Sequence, residues 1–274
     1  MTRRPQRQIV KCVDRLYRRP RPVIRDFNFG ERTSRVLDDM LSRSVPCYDE
    51  MQRMVVELVG DFARDGTSVY DLGCSTGTTL LHLVRTYGER TDVEFVGVDN
   101  SKAMLRRARE KLLGAGYGNR CTFKLADLHE LVIENASVVI LILTLQFIRP
   151  PDRERLLRRV YQGLVTNGSL LLVEKVLCHD AGLAGAFTNY YYRFKQRQGY
   201  SELEIAQKRE ALEHVLVPYR AETNMALLER SGFSATEVFF RWYNFAGFVA
   251  VKRPAPADAS ETLNGSAARQ SAHR

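Results

Sequence analysis

Three aspartates stand at corresponding points of the sequence, each just after a short apolar stretch. They are Asp71, Asp99 and Asp127. A carboxylate suits a ribose because its two oxygens accept hydrogen bonds from the neighbouring 2′ and 3′ hydroxyls. A single aspartate of this kind is usually a cap at a helix or turn. Asp71 and Asp99 each follow an apolar strand and together predict a nucleotide-type site above the carboxyl ends of parallel strands.

The first aspartate opens a loop of small residues. Residues 69–77 read Val-Tyr-Asp-Leu-Gly-Cys-Ser-Thr-Gly, and apolar residues at helical spacing follow Gly77. Such a loop lets the backbone approach a ligand closely. It departs from the Gly-x-Gly-x-x-Gly pattern, so NAD is the less favoured ligand. Cys74 could be a nucleophile, but no histidine lies near it in sequence, and a small buried residue is the favoured interpretation.

The elements that must position this loop alternate along the chain. Apolar stretches predict seven strands, at about residues 67–72, 93–98, 120–125, 136–143, 168–174, 235–241 and 244–252. Helical spacing predicts helices at about residues 47–64, 77–88, 101–114, 151–165 and 221–231. Alternation of this kind indicates an α/β fold with a doubly wound, mostly parallel sheet.

Segments outside this alternation suggest the domain organisation. Residues 176–217 predict a helical insertion rich in tyrosine, with a capping box at Ser201-Glu202-Leu203-Glu204. Residues 254–274 are small, polar and aperiodic, which predicts a disordered tail. Residues 1–25 hold nine Arg or Lys and one acid, which predicts a basic disordered arm. One domain is expected over residues 26–253.

The predicted arm accounts for nearly all of the net charge. The chain carries a formal charge of +9 at pH 7, of which residues 1–25 contribute +8. Because the rest is close to neutral, the folded domain is not expected to bind RNA directly. The arm could contact RNA or an acidic partner, although a solvated arm is the favoured interpretation.

Composition excludes several classes of protein. With 274 residues, 45% of them hydrophobic, the chain can bury a large core. No apolar run reaches the roughly 18 residues that a membrane span needs. Five cysteines without a Cys-x-x-Cys pair predict no disulfide framework, and the histidines lack ligand spacing, so no metal site is expected. A soluble, cytoplasmic protein is the expectation.

The strands and their acids resemble those of class I S-adenosylmethionine (SAM)-dependent methyltransferases, which have a Rossmann-like, seven-stranded sheet. In that superfamily the acid after the first strand anchors the glycine loop and the methionine part of SAM. The second acid binds the ribose and the third lies at the adenine. The resemblance implies these roles for Asp71, Asp99 and Asp127.

Longer motifs narrow the resemblance. They lie at residues 43–48, 69–75, 98–101, 133–137, 144–147 and 199–209. They resemble the carboxy-S-adenosylmethionine (carboxy-SAM) synthase family, whose members act in wobble-uridine modification of bacterial tRNA. The similarity runs from about Asp26 to Lys252, and residues 199–209 are its most specific block.

The resemblance implies a reaction other than methyl transfer. Such enzymes convert SAM and prephenate to carboxy-SAM and phenylpyruvate, and a homodimer is expected. Prephenate loses its ring carboxylate as CO2, and the SAM methyl group, deprotonated to an ylide, captures it. The resemblance implies that Tyr48 and Arg209 bind the new carboxylate. The full set of residues implied to bind the ligand is Tyr48, Asp71, Gly73, Cys74, Ser75, Asp99, Asn100, Asp127, Leu128, Ile142 and Arg209.

Two positions keep alternatives open. A guanidinium at Arg209 would repel a bare sulfonium but grip a carboxylate, a pair worth about 1.5–3 kcal/mol. By spacing alone, Arg209 would be a surface residue of a charged helix. The family places an asparagine where this chain has Ile142, which cannot hydrogen-bond to a ligand. An ordinary methyltransferase and a non-catalytic SAM-binding protein are therefore the alternatives.

The tyrosines at 190–192 could line a prephenate pocket, form a dimer contact or belong to the core.

Overall fold

A central sheet organises the molecule. The computed structural model describes residues 12–89 and 92–254. Its strands are β1 (Thr67–Leu72), β2 (Val93–Asp99), β3 (Cys121–Leu125), β4 (Ala136–Ile142), β5 (Leu164–Leu177), β6 (Tyr219–Arg220), β7 (Ala235–Trp242) and β8 (Phe245–Val251). They lie in the order β3-β2-β1-β4-β5-β8-β7, and the short β6 pairs with β5. Strands β1 to β5 are parallel to one another, whereas β8 is antiparallel to both β5 and β7.

The predicted fold class is confirmed. Each of the seven predicted strands is present, and the mostly parallel order with one antiparallel strand is that of the class I methyltransferases. β5 is longer than the predicted stretch 168–174. β6 was not predicted because two residues carry no periodic pattern.

Nine helices of the described residues flank the sheet. They are α1 (Glu31–Ser34), α2 (Leu37–Ser44), α3 (Tyr48–Phe62), α4 (Thr78–Tyr87), α5 (Lys102–Gly114), α6 (Pro150–Gly163), α7 (Ala181–Arg197), α8 (Glu202–Leu212) and α9 (Ala221–Arg230). The sequence did not predict α1 and α2, which are short and begin without a side-chain cap. Within the described part of the chain, no helix has the length and apolar character to cross a membrane.

The predicted capping box starts α8. The Ser201 Oγ accepts a hydrogen bond from the Glu204 backbone N–H at 3.3 Å. The Glu204 carboxylate accepts in return from the Ser201 backbone N–H at 2.9 Å. These two bonds satisfy N–H groups that a helix start leaves without partners. They fix the first turn of the helix that carries Arg209.

Strand β4 separates two hydrophobic cores. Val139 and Leu141 pack into the core under α6 and α9, whereas Val138 and Ile140 pack into the core under α3 and α4. All four side chains are fully buried. An apolar strand covered on both faces is typical of parallel sheets. The carboxyl end of β4, at Ile142, is therefore held firmly in place.

Residues 12–25 are anchored, which corrects the prediction of disorder for this part of the arm. Asp14 is buried, and its Oδ2 accepts a hydrogen bond from the Tyr200 hydroxyl at 2.7 Å. Its backbone oxygen accepts from Arg43 Nη2 at 2.8 Å. These partners come from distant parts of the sequence, so no local pattern reveals them.

The described part of the arm belongs to the folded unit, which therefore begins before the predicted boundary at residue 26. Gln207 on α8 contributes, since its Nε2 donates to the Tyr17 carbonyl oxygen at 2.8 Å. Residues 1–11 of the predicted arm and residues 255–274 of the predicted tail lie outside the described residues.

Replacing Tyr200 by phenylalanine tests this anchoring. The Tyr200→Phe change removes a hydrogen bond to a buried carboxylate, so we expect a loss of about 1.5–3 kcal/mol in the free energy of unfolding. Urea denaturation measures it. Tyr243→Phe, at a ring that is 41% exposed, is the matched control and should change stability by less than about 0.5 kcal/mol. Equal stabilities of the two variants would contradict the anchoring.

Candidate functional site

A cavity of about 600 Å³ opens at the carboxyl ends of the parallel strands. This volume lies in the range of roughly 300–1,000 Å³ that is usual for small-molecule sites. Every residue that the sequence analysis assigned to the ligand lines it: Tyr48, Asp71, Gly73, Cys74, Ser75, Asp99, Asn100, Asp127, Leu128, Ile142 and Arg209. The fold therefore brings the predicted residues together, and their individual roles stay predictions.

The loop after β1 requires glycine at position 73. Gly73 has a φ of +77°, and an added Cβ would lie 2.5 Å from Thr144 Oγ1. Its backbone N–H donates to the Val98 carbonyl oxygen at 2.8 Å. On the other side of the cleft, the buried Glu174 fixes the loop after β4 by accepting from the Leu145 N–H at 3.0 Å. Two backbone segments are thus held close together at the cavity wall.

Asp99 is oriented by the same loop. One carboxylate oxygen accepts from the Ser75 N–H at 2.9 Å and the other from the Ser101 N–H at 2.8 Å. Burial raises the pKa of Asp99, and these backbone donors oppose the rise. Each oxygen keeps a lone pair for a ligand hydroxyl. The geometry therefore suits the ribose role expected for this residue.

Asp71 is a buried carboxylate without a partner. It exposes 3% of its surface, and its Oδ2 has no hydrogen-bond partner among the described residues. Burial, together with the charge of Asp99, raises its pKa to about 7. A cationic ligand group beside it would restore the charged form. SAM carries an ammonium in its methionine part, so the orphaned oxygen fits the expected ligand.

Asp127 lies at the rim of the cavity. Its Oδ1 accepts from the His129 backbone N–H at 2.8 Å, and the His129 side chain also contacts it. These contacts lower the pKa of Asp127, so it is ionised at neutral pH. Leu128 beside it is buried and Asn100 is exposed. Among the described residues, no group of three or more histidine, cysteine or acidic side chains could hold a metal ion.

Cys74 has the properties of a packing residue. It exposes 5% of its surface. Burial, then the charges of Asp71 and Asp99, raise its pKa well above the ordinary value. A thiol is nucleophilic only as the thiolate. The structure therefore supports the interpretation of Cys74 as a small buried residue of the loop.

Tyr48 and Ile142 form part of the inner wall. Tyr48 is the first residue of α3 and exposes 8% of its surface. Burial raises its pKa, so the hydroxyl stays neutral and able to donate. Ile142 ends β4 and presents an apolar side chain to the cavity, at the position where the resemblance led us to expect an asparagine. This part of the wall offers a ligand packing but no hydrogen bond from position 142.

Arg209 lies on α8 and is exposed, although it lines the cavity. Three lysines that the sequence reasoning missed also line it: Lys175, Lys195 and Lys208. Lysine side chains are mostly exposed to solvent, so the sequence pattern gave no reason to expect these three in a cavity. The one available signal was that Lys175 extends an apolar strand and Lys208 belongs to the most specific motif block.

Comparison with known proteins agrees with this architecture. The methyltransferase domain family matches residues 69–168. The carboxy-S-adenosyl-L-methionine synthase of Methylococcus capsulatus is 53% identical over 240 residues, which are 87% of this chain and 99% of that protein. The protein of the same name from Desulfotalea psychrophila is 46% identical over 239 residues, covering 87% and 97%.

A solved structure shares the fold at low identity. Human N-acetylserotonin methyltransferase, determined in complex with SAM, aligns with a TM-score of 0.55 and 16% identity. The alignment covers 81% of this chain and 55% of that chain. At this identity the likeness shows the class I methyltransferase fold and no more.

Thiol accessibility tests the local structure of the loop. We expect Cys12 and Cys47, which are exposed, to react rapidly with iodoacetamide in the native protein. Cys74 should react only after unfolding, because its buried thiol stays protonated. Peptide mass spectrometry after timed labelling measures each site. Labelling of Cys74 as fast as that of Cys47 would contradict the buried loop.

Proposed function

The chain belongs to the carboxy-S-adenosyl-L-methionine synthase family, and we propose that it transfers the ring carboxylate of prephenate to the methyl group of SAM. The enzyme class and the SAM ligand agree with the fold and with the relatives. Prephenate as the carboxyl donor is the finer part of the proposal.

The charge distribution in one cavity carries the proposal. Asp71, Asp99 and Asp127 lie on the side of β1, β2 and β3, where SAM is expected. Cationic side chains from β5, α7 and α8 line another part of the same cavity, and Arg209 is one of them. Cations near a sulfonium repel it and would not serve simple methyl transfer. They suit a reaction in which an anionic second substrate and a new carboxylate occupy the site.

The chemistry balances without a further reactant. The bond between the prephenate ring and its carboxylate breaks, and that carbon is bonded to the SAM methyl carbon. The ring hydroxyl leaves with the methyl proton as water, which makes the ring aromatic and gives phenylpyruvate. The positive sulfur of SAM stabilises the negative charge on carbon, so the main tasks of the protein are positioning and electrostatics.

The residues of the cavity have matching tasks in this proposal. Asp71 and Asp99 hold the ammonium and the ribose of SAM. Arg209, with the neutral hydroxyl of Tyr48, reads the new carboxylate. Apolar residues such as Met40 and Phe27, which are buried in the wall, exclude water from a reactive carbanion and from CO2.

Three further proposals concern the biological setting. A homodimer is supported by the exposed apolar side chains of Leu183, Tyr190 and Tyr243 on and near α7. A reducing, cytoplasmic setting is supported by five cysteines that are all free. The product would serve tRNA wobble-uridine modification, in line with the resemblance. The charge near zero outside residues 1–25 argues against direct tRNA binding by the folded domain.

Product analysis tests the proposed reaction. Purified protein with SAM and prephenate should yield phenylpyruvate and a SAM derivative heavier by one CO2, and omission of prephenate should abolish both. Mass spectrometry detects the products. Methylation of an added acceptor without prephenate would support an ordinary methyltransferase. Product from Ile142→Asn but not from the natural chain would support the non-catalytic alternative.

Differential binding tests the role of Arg209. We expect Arg209→Ala to weaken carboxy-SAM roughly tenfold to a hundredfold, the equivalent of about 1.5–3 kcal/mol. SAM itself should change by less than about threefold, because it lacks the second carboxylate. Glu210→Ala, at the next exposed position of α8, is the control and should alter neither affinity. Equal losses for both ligands in calorimetric titration would exclude the carboxylate-reading role.

A further inference from the structure

Three lysines reach the cavity from three elements. Lys175 lies on β5, Lys195 on α7 and Lys208 on α8. The Nζ atoms of Lys175 and Lys195 lie 5.3 and 4.6 Å from the ring centroid of Tyr191. Lys208 Nζ donates to Ser44 Oγ at 3.0 Å, and the Tyr191 hydroxyl donates to the Ser44 carbonyl oxygen at 2.9 Å. We call Lys175, Lys195 and Lys208 around Tyr191 the lysine cluster.

The lysine cluster lacks compensating negative charge. Lys195 and Lys208 expose 6% and 7% of their surfaces. Over residues 12–89 and 92–254, no carboxylate forms an ion pair with any of the three. Asp14 attracts Lys208 from a distance while Arg43 repels it, and burial lowers the pKa of Lys208 to about 8. Burial, then the charges of Lys208 and Lys175, also hold the pKa of Lys195 well below its ordinary value.

The lysine cluster destabilises the folded protein unless a bound anion neutralises it. A buried ammonium without a partner costs folding free energy, and a carboxylate placed against it removes much of that cost. All three lysines line the cavity, so a bound anion can reach them. Next to them, Tyr191 and Phe245 form an edge-to-face pair, which offers an apolar wall to a substrate ring.

We propose that the lysine cluster binds the carboxylate of a 2-oxo acid side chain on the second substrate. The assignment rests on the proposed function, because prephenate carries such a side chain in addition to its ring carboxylate. Lys195 is the central contact, since it is buried and lies nearest to the Tyr191 ring.

The two carboxylates of prephenate differ in whether they react. The ring carboxylate leaves as CO2, so cations against it would stabilise the substrate more than the transition state and slow the reaction. The side-chain carboxylate is unchanged in phenylpyruvate. Cations there strengthen binding of substrate and transition state alike, at no cost in rate. We therefore assign the lysine cluster to the side-chain carboxylate, which phenylpyruvate retains.

Phenylpyruvate and phenylacetone separate this contact from the rest of the site. Phenylacetone has the same ring and ketone but a methyl in place of the carboxylate. In the complex with S-adenosylhomocysteine, which has no methyl group to react, phenylpyruvate should bind by calorimetry. Lys195→Met should weaken it at least about tenfold and leave phenylacetone unchanged, since only a charged contact is lost. In turnover, the prephenate KM should rise with little change in kcat.

Thermal stability distinguishes a lysine that binds a ligand from one that only supports the fold. Lys195→Met replaces a buried amine that has no ion-pair partner among the described residues with an apolar side chain, so its ligand-free Tm should equal or exceed that of the natural protein. Lys252→Met is the matched control. Lys252 also lies over a tyrosine ring, 4.9 Å from the Tyr161 centroid, but donates to the Leu164 carbonyl oxygen at 2.6 Å. It should lose stability and keep its phenylpyruvate affinity.

Three results would overturn the assignment. The first is an unchanged phenylpyruvate affinity in Lys195→Met, and the second is no phenylpyruvate binding by the natural protein. The third is a loss of S-adenosylhomocysteine affinity in Lys195→Met as large as the loss of phenylpyruvate affinity. If Lys195→Met does not fold, Lys208→Met carries the same test. Failure of the proposed function is a separate result, since it is the absence of carboxy-SAM from SAM and prephenate with the natural protein.

Discussion

Acidic and basic side chains are buried in one cavity without partners among the described residues, and the site depends on this imbalance. One carboxylate oxygen of Asp71, on β1, has no hydrogen-bond partner there, and the buried amine of Lys195, on α7, forms no ion pair there. Asp71 lies on β1 and Lys175, which shares the Tyr191 ring with Lys195, lies on β5, so β4 separates the two strands in the sheet order. Neither charge is favourable in the empty protein. Two ligand groups of opposite charge would satisfy both, which matches a cationic SAM and an anionic second substrate.

The sheet provides the rigid frame that such an imbalance requires. β4 is buried on both faces, and close packing of this kind opposes a shift of the strands that would bring the acidic and basic side chains together. The close contact between Gly73 and Thr144 fixes the loops on either side of the cleft. Glu174 completes this support by bonding the backbone at Leu145. The free energy gained in the two cores offsets the cost of the charged cavity.

The parts that were predictable from sequence are those with local patterns. Seven strands followed from apolar runs, and the glycine loop with Asp71 followed from small residues at a strand end. The anchored segment at residues 12–25 was missed, because the partners of Asp14 lie far away in sequence. The lysine cluster was missed for a related reason. Lys208 lies in a helix of alternating charge, and only the tertiary packing shows that it is buried.

The protons exchanged on binding test the account most directly, and calorimetry in buffers of different ionisation enthalpy counts them. SAM binding near pH 6.5 should release protons, because an ammonium beside Asp71 lowers a pKa that is about 7 in the empty site. Phenylpyruvate binding near pH 8.5 should take up protons, because a carboxylate raises the pKa of Lys208 from about 8. Asp14, Arg43 and Lys195 surround Lys208 in both states. Proton exchange of the same sign for both ligands, or none for either, would contradict the account.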